Sequence, residues 1–270
     1  MNNDNYPCNS RDDMPGWNGG EVRKMVEKGR QRLDKVLAHM GFGTRKEIKK
    51  LVKEKRVRVN GELANDPGLH VLPGRDHIEV DGEPVEYRQH IYLMLNKPQG
   101  FLSATEDRFA QAVVDLLPPE YRAFHPFPVG RLDKDAEGLL LLTNDGKLAH
   151  QLLSPKKRVP KTYFAVVCGM VTETDVEAFR HGVILNDGYR TMPGKLKILR
   201  SGPESEVELT IYEGKYHQVK RMFQSVGKKV TYLKRIAMGP LILDERLKPG
   251  EYRELSEEEI KNLRELNPAR

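Results

Sequence analysis

Apolar residues recur at helical spacing at Leu33, Val36, Leu37 and Met40, which predicts a short helix that Gly41 and Gly43 end. Thr44 followed by Glu47 has the spacing of a capping box and predicts the start of a second helix. That helix turns Ile48, Leu51 and Val52 inward and Arg45, Lys46, Lys49, Lys50 and Lys53 outward. Val57 and Val59 before Asn60-Gly61 predict a strand entering a tight hairpin turn, and Ile78 and Val80 before Asp81-Gly82 predict another. Together these elements define a small α/β unit over residues 31–86.

Residues 87–90 carry no such pattern and are expected to link this unit to a larger domain over residues 91–270. Continuous apolar runs at Ile91–Leu95 and Leu139–Leu142 predict buried strands, and Thr162–Cys168, rich in branched and aromatic residues, predicts a third. Glu206 to Ile211 alternates strictly, as a half-buried strand does. Helices are expected over 147–153, 174–180, 216–226 and 257–266, the last opened by Ser256 and Glu259 at capping-box spacing. The fold class expected is α+β, with a mixed, mostly antiparallel sheet in the larger domain. Residues 1–30 form an N-terminal tail whose first part, rich in Asn, Asp, Pro and Gly, is expected to be disordered.

Composition narrows the class of function. No apolar run approaches the roughly 20 residues that a membrane helix needs. The polar N-terminus, with Asp4, Asp12 and Asp13, does not resemble a secretory signal, so a cytoplasmic protein without a membrane partner is expected. Cys8 and Cys168 are too few for a disulfide framework or a cysteine zinc site; Cys8 is expected in a loose tail and Cys168 in a buried strand. The net charge is +6, but its distribution says more. Between Arg23 and Arg58 stand fourteen Lys and Arg against four acids, a surplus of ten that leaves the rest of the chain net negative. A helix whose basic stripe has so few acids beside it fits a phosphate backbone, which makes RNA or DNA the expected partner.

The stretch Gly130-Arg131-Leu132-Asp133-Lys134-Asp135-Ala136-Glu137-Gly138 sets three acids and two glycines before an apolar run. Asp133 there is either a fixed, partly desolvated carboxylate or a solvated loop acid, and the residues alone leave both open. The run Gly130-Arg131-Leu132-Asp133 before Gly138-Leu139-Leu140 resembles the signature of the bacterial rRNA pseudouridine synthases. Asn96-Lys97-Pro98-Gln99-Gly100, Lys161-Thr162-Tyr163 and Glu213 to Phe223 resemble further motifs of that family, in the same order. The basic N-terminal unit resembles the S4 RNA-binding module. The form Tyr216-His217-Gln218-Val219-Lys220-Arg221-Met222-Phe223 is closest to the RsuA type, which acts on 16S rRNA; branches acting on 23S rRNA usually carry Asn-Arg-x-x-Arg-Arg there.

The resemblance implies an isomerase that breaks the N1–C1′ bond of a flipped-out uridine, turns the base and rejoins it through C5. Nothing leaves the site and no redox change occurs, so no cofactor or metal is expected. Asp133 would be the catalytic carboxylate, as nucleophile or as base. Lys220 would hold Asp133 by its charge, and Tyr163 would stack on the base. Arg131 would enter the gap left by the base or grip its phosphate, with a salt bridge to Asp135 as the alternative. Arg221 is expected at a phosphate, and His217 is assigned no chemistry. The expected partner is ribosomal RNA, as 16S rRNA or a small-subunit assembly intermediate, met by a monomer. The alternatives are a 23S rRNA pseudouridine synthase, a non-catalytic S4-domain ribosome-binding protein and, less favoured, a DNA-binding regulator.

Overall fold

The computed structural model describes residues 29–266, so the expectations for Cys8 and for most of the tail lie outside the described residues. The chain divides into two compact units, with the boundary between Arg88 and Gln89.

In the first unit, α1 (Leu33–His39) and α2 (Arg45–Lys53) fall where the apolar spacing places them. Thr44 caps α2 reciprocally: its Oγ1 accepts from the Glu47 amide, and the Glu47 carboxylate accepts from the Thr44 amide at 2.7 Å. Strand β1 (Val57–Val59) pairs with β2 (Glu62–Leu63) and with β3 (Ile78–Val80), which in turn pairs with β4 (Glu83–Pro84). Both hairpin turns place two successive residues at positive φ, Asn60 at 53° with Gly61 at 83°, and Asp81 at 56° with Gly82 at 84°. Positive φ at both central residues is the turn that Asn-Gly and Asp-Gly favour. Leu33, Val36, Leu37, Ile48 and Val57 are fully buried in one core, each contributing roughly 1.5–3 kcal/mol by its removal from water. Tyr87 closes onto this unit, accepting from Gln31 Nε2 at 3.1 Å, so it packs rather than trailing free.

The second unit is built on one sheet. Its main strands are β5 (Tyr92–Lys97), β6 (Glu137–Thr143), β7 (Lys161–Cys168), β8 (Lys195–Arg200), β9 (Glu204–Ile211), β10 (Lys229–Met238) and β11 (Tyr252–Glu254). They lie in the order β8-β9-β7-β10-β6-β5-β11, all antiparallel except β10 against β6. That parallel contact is only two residue pairs long, Lys234 with Glu137 and Arg235 with Gly138. Gly138 permits it: its φ is 102°, and a Cβ there would stand 2.2 Å from the Arg235 carbonyl oxygen. Helices α3 (Gly146–Leu153), α4 (Glu173–His181), α5 (Gln218–Ser225) and α6 (Glu257–Arg264) complete the unit.

The predicted strands and helices are present, with shifted ends. The sequence pattern does not announce β8, β10 or β11. Strand β10, central to the sheet, is studded with Lys229, Lys234 and Arg235, and its alternation is broken by two bulges against β7. Cys168 corrects an expectation: it ends β7 exposed rather than buried, because the strand's buried face falls on Tyr163, Ala165 and Val167. No described helix is long and apolar enough to cross a membrane.

Candidate active site

Asp133 stands in the loop that leads into β6, and the loop is tied down from beneath. Leu132 and Ala136 are buried on either side of it. The Ser103 hydroxyl donates to the Leu132 carbonyl at 2.9 Å and accepts from the Leu132 amide at 3.0 Å. Lys97, fully buried at the end of β5, donates from Nζ to the carbonyls of Pro98, Asp133 and Ala136 at 2.8–3.1 Å, with that of Lys134 at 3.4 Å. Burial pushes this amine down to about 8, while Asp133, Asp135 and Glu137 draw it back up. The sequence pattern marks the Lys-Pro motif but not this task, whose trace is a lysine closing an otherwise buried strand.

Lys220 on α5 meets two carboxylates, Asp135 Oδ1 at 2.6 Å and Asp133 Oδ2 at 3.4 Å. The expected Asp133–Lys220 approach is therefore present, but Asp135 takes the shorter contact. The hydrogen bond from Lys220 holds the Asp135 carboxyl below its usual range. Asp135 is thus not the partner of Arg131, which is exposed and has no ion-pair or hydrogen-bond partner among the described residues.

His217 corrects the expected helix over 216–226. Helix α5 begins at Gln218, and His217 precedes it in a left-handed conformation with φ of 47°. For a residue with a Cβ that conformation costs on the order of 1 kcal/mol. It brings His217 Nε2 to 3.7 Å from Asp133 Oδ1, with the ring stacked 3.8 Å from that of Tyr216. Gln218 fixes the turn, donating to Glu213 and accepting from the Lys215 amide, both at 2.8 Å. Arg221, expected at a phosphate, donates to Asn186 at 2.8 Å and pairs with Asp187 at 2.6 Å.

A cavity of about 810 Å³ opens over these groups, with Arg131, Asp133, Lys161, Tyr163, His217 and Arg235 in its wall. Lys220 is not part of that wall. The volume lies within the range of small-ligand sites, on the order of 300–1,000 Å³. Tyr163 is buried on β7, beside Arg235 of β10 and Leu209 of β9. The cavity therefore combines a tethered carboxylate, a nearby ammonium and an aromatic ring. In the first unit, Arg45, Lys46, Lys49, Lys50 and Lys53 are all exposed on α2, and an ion pair on that face, Lys50 with Glu54, is loose at 3.8 Å.

Comparison with known proteins identifies the family. Residues 91–225 match the family model described as RNA pseudouridylate synthase, and residues 31–76 match the S4 domain. An uncharacterized RNA pseudouridine synthase of Bacillus subtilis, YtzG, is 55% identical over 87% of this chain and 98% of its own length. The chain belongs to the RNA pseudouridine synthase family. Two further relatives of this synthase are each 40% identical. The ribosomal large subunit pseudouridine synthase B of Bacillus subtilis aligns over 87% of this chain and 96% of its own length. The ribosomal small subunit pseudouridine synthase A of Escherichia coli aligns over 85% and 98%. A crystal structure of a pseudouridylate synthase superposes with a TM-score of 0.61 at 37% identity, covering 87% of this chain and 99% of that one.

Proposed function

We propose that this synthase converts a uridine of 16S ribosomal RNA to pseudouridine, with Asp133 as the reacting carboxylate. The observation that carries the reading is the placement of Asp133, in the wall of the cavity that Tyr163 shares, with Lys220 Nζ at 3.4 Å. An ammonium at that distance favours the ionised carboxylate that either nucleophilic attack or proton removal requires. The target base is flipped from its stack into the cavity and lies against the Tyr163 ring. Arg131, exposed and unpaired at the rim, takes the place of the base or grips its phosphate. The exposed lysines of α2 hold the RNA by its backbone.

Identity alone does not separate the small-subunit from the large-subunit branch, since relatives of both kinds stand at 40%. The run from Tyr216 to Phe223 carries the choice of 16S rRNA. Pseudouridine mapping of rRNA from cells lacking the protein is expected to show one 16S site lost. Loss of a 23S site instead would move the target to the large subunit. Asp133→Asn is expected to abolish pseudouridine formation while RNA binding persists; an active variant would refute the assigned role.

A further inference from the structure

The cavity wall holds two cations that the reading above leaves without work. Arg235 is 1% exposed, yet it has no carboxylate partner among the described residues. Among the described residues, only the N–H on Nε of its five donors is used, to the Leu139 carbonyl at 2.8 Å, and Nη2 is buried with no partner. Lys161 enters the same wall from β7, and its amine spends one donor on the Val159 carbonyl at 3.0 Å. Burial pushes the Lys161 amine down to about 8, and the like charge of Arg235 adds to that push. A guanidinium in a sheet interior is normally matched by an acid or a full set of acceptors, because an unmatched buried charge costs several kcal/mol in general. Such a guanidinium, with a half-buried ammonium in the same wall, calls for an anionic or carbonyl-rich guest.

The reaction supplies one. When the C1′–N1 bond breaks, its electron pair stays with the ring, and the detached base carries one negative charge spread over N1, O2 and O4. The charge is discharged when C5 bonds to C1′, the C5 proton departs and N1 takes one up. On the sugar side, Asp133 as nucleophile bonds to C1′ when N1 leaves and departs as carboxylate when C5 attacks; as base it leaves C1′ an oxocarbenium that C5 captures, and takes the C5 proton. We propose that Arg235 and Lys161 bind the carbonyl edge of the flipped uracil and stabilise the detached uracil anion. Both flank Tyr163: Arg235 is its cross-strand neighbour, and Lys161 lies two residues before it on the same side of β7. A base stacked on that ring thus presents its carbonyl edge to the two donors. Preorganised donors aimed at developing charge are the usual source of large rate effects.

The inference rests on the proposed isomerisation, and single-turnover assays on an RNA fragment carrying the target site separate the two. Lys161→Met is expected to lower the rate roughly a hundredfold, as loss of one such donor does elsewhere. RNA affinity should change by less than about twofold, because the backbone contacts lie elsewhere. The wild-type rate should also fall as pH rises through about 8, where Lys161 loses its proton. Lys161→Arg, which stays charged, should move that fall to higher pH. This second measurement decides the matter if Lys161→Met does not fold. Arg235→Lys is expected to keep measurable activity where Arg235→Met does not. A near-normal rate in Lys161→Met would overturn the proposal, as would an unshifted alkaline fall in Lys161→Arg. So would a tenfold loss of affinity at an unchanged rate, which would place a phosphate there. If the wild-type protein forms no pseudouridine, the isomerase reading itself fails and takes this inference with it.

Discussion

Asp133 shares Lys220 with Asp135, and the two contacts differ in kind. Asp135 is 70% exposed against 25% for Asp133, so its shorter contact is the one that water and salt screen more. Asp135→Asn is therefore expected to leave single-turnover rates within about threefold, whereas Lys220→Met should lower them by on the order of a hundredfold. Gly138 yields a stability prediction. Gly138→Ala forces a Cβ onto the Arg235 carbonyl at an unfavourable φ, and denaturant unfolding should show a loss of about 3 kcal/mol. Lys97 gives a pH dependence. Its amine titrates near 8 in the folded chain and near 10.4 when unfolded, so between those values the unfolded chain binds more protons. Stability from this group rises with pH across that window. Lys97→Met should flatten the corresponding rise measured by denaturant midpoints. At this scale the sequence names Asp133, Tyr163 and Lys220 as belonging together. It is silent on His217, because a left-handed backbone at a histidine leaves no trace in spacing or composition.

Legibility improves where local rules act. The helices opened by Thr44 with Glu47 and by Ser256 with Glu259 start where their capping boxes place them. Both turns with Asn-Gly and Asp-Gly are hairpins. Strand β10 resists the same reading, since its cations are accommodated by neighbours distant in sequence, such as the Leu139 carbonyl beneath Arg235. Helix α2 shows how pattern becomes a surface: Ile48 and Val52 seal it to the core, and its lysines have no other place to go. Replacing Lys46, Lys49, Lys50 and Lys53 by Gln should weaken RNA binding and reduce the slope of log affinity against log salt by about 3. Filter binding across a salt series measures it, and an unchanged slope would place the phosphate contacts elsewhere.

The molecule divides its labour by charge. The cationic surplus lies wholly in the segment ending at Arg58, while the cavity is lined by residues between 102 and 235. Binding strength and chemical rate should therefore respond to different variables. Raising salt from about 50 to about 200 mM should weaken RNA binding strongly. At saturating enzyme the single-turnover rate should hardly move, because the buried Arg235 and the half-buried Lys161 are little screened. A rate that falls in step with affinity would show that the two are not separable.

The lowered amine of Lys161 has one more consequence, in reactivity. At pH 8 an ordinary surface lysine is free base in well under about one part in a hundred, whereas burial gives Lys161 a far larger free-base share. An amine without its proton is a nucleophile. A small acylating reagent able to enter the cavity should mark Lys161 ahead of the many exposed lysines of α2, and a seated uridine would shield it. The protein thereby carries its own occupancy reporter, readable by peptide mass without any engineered label.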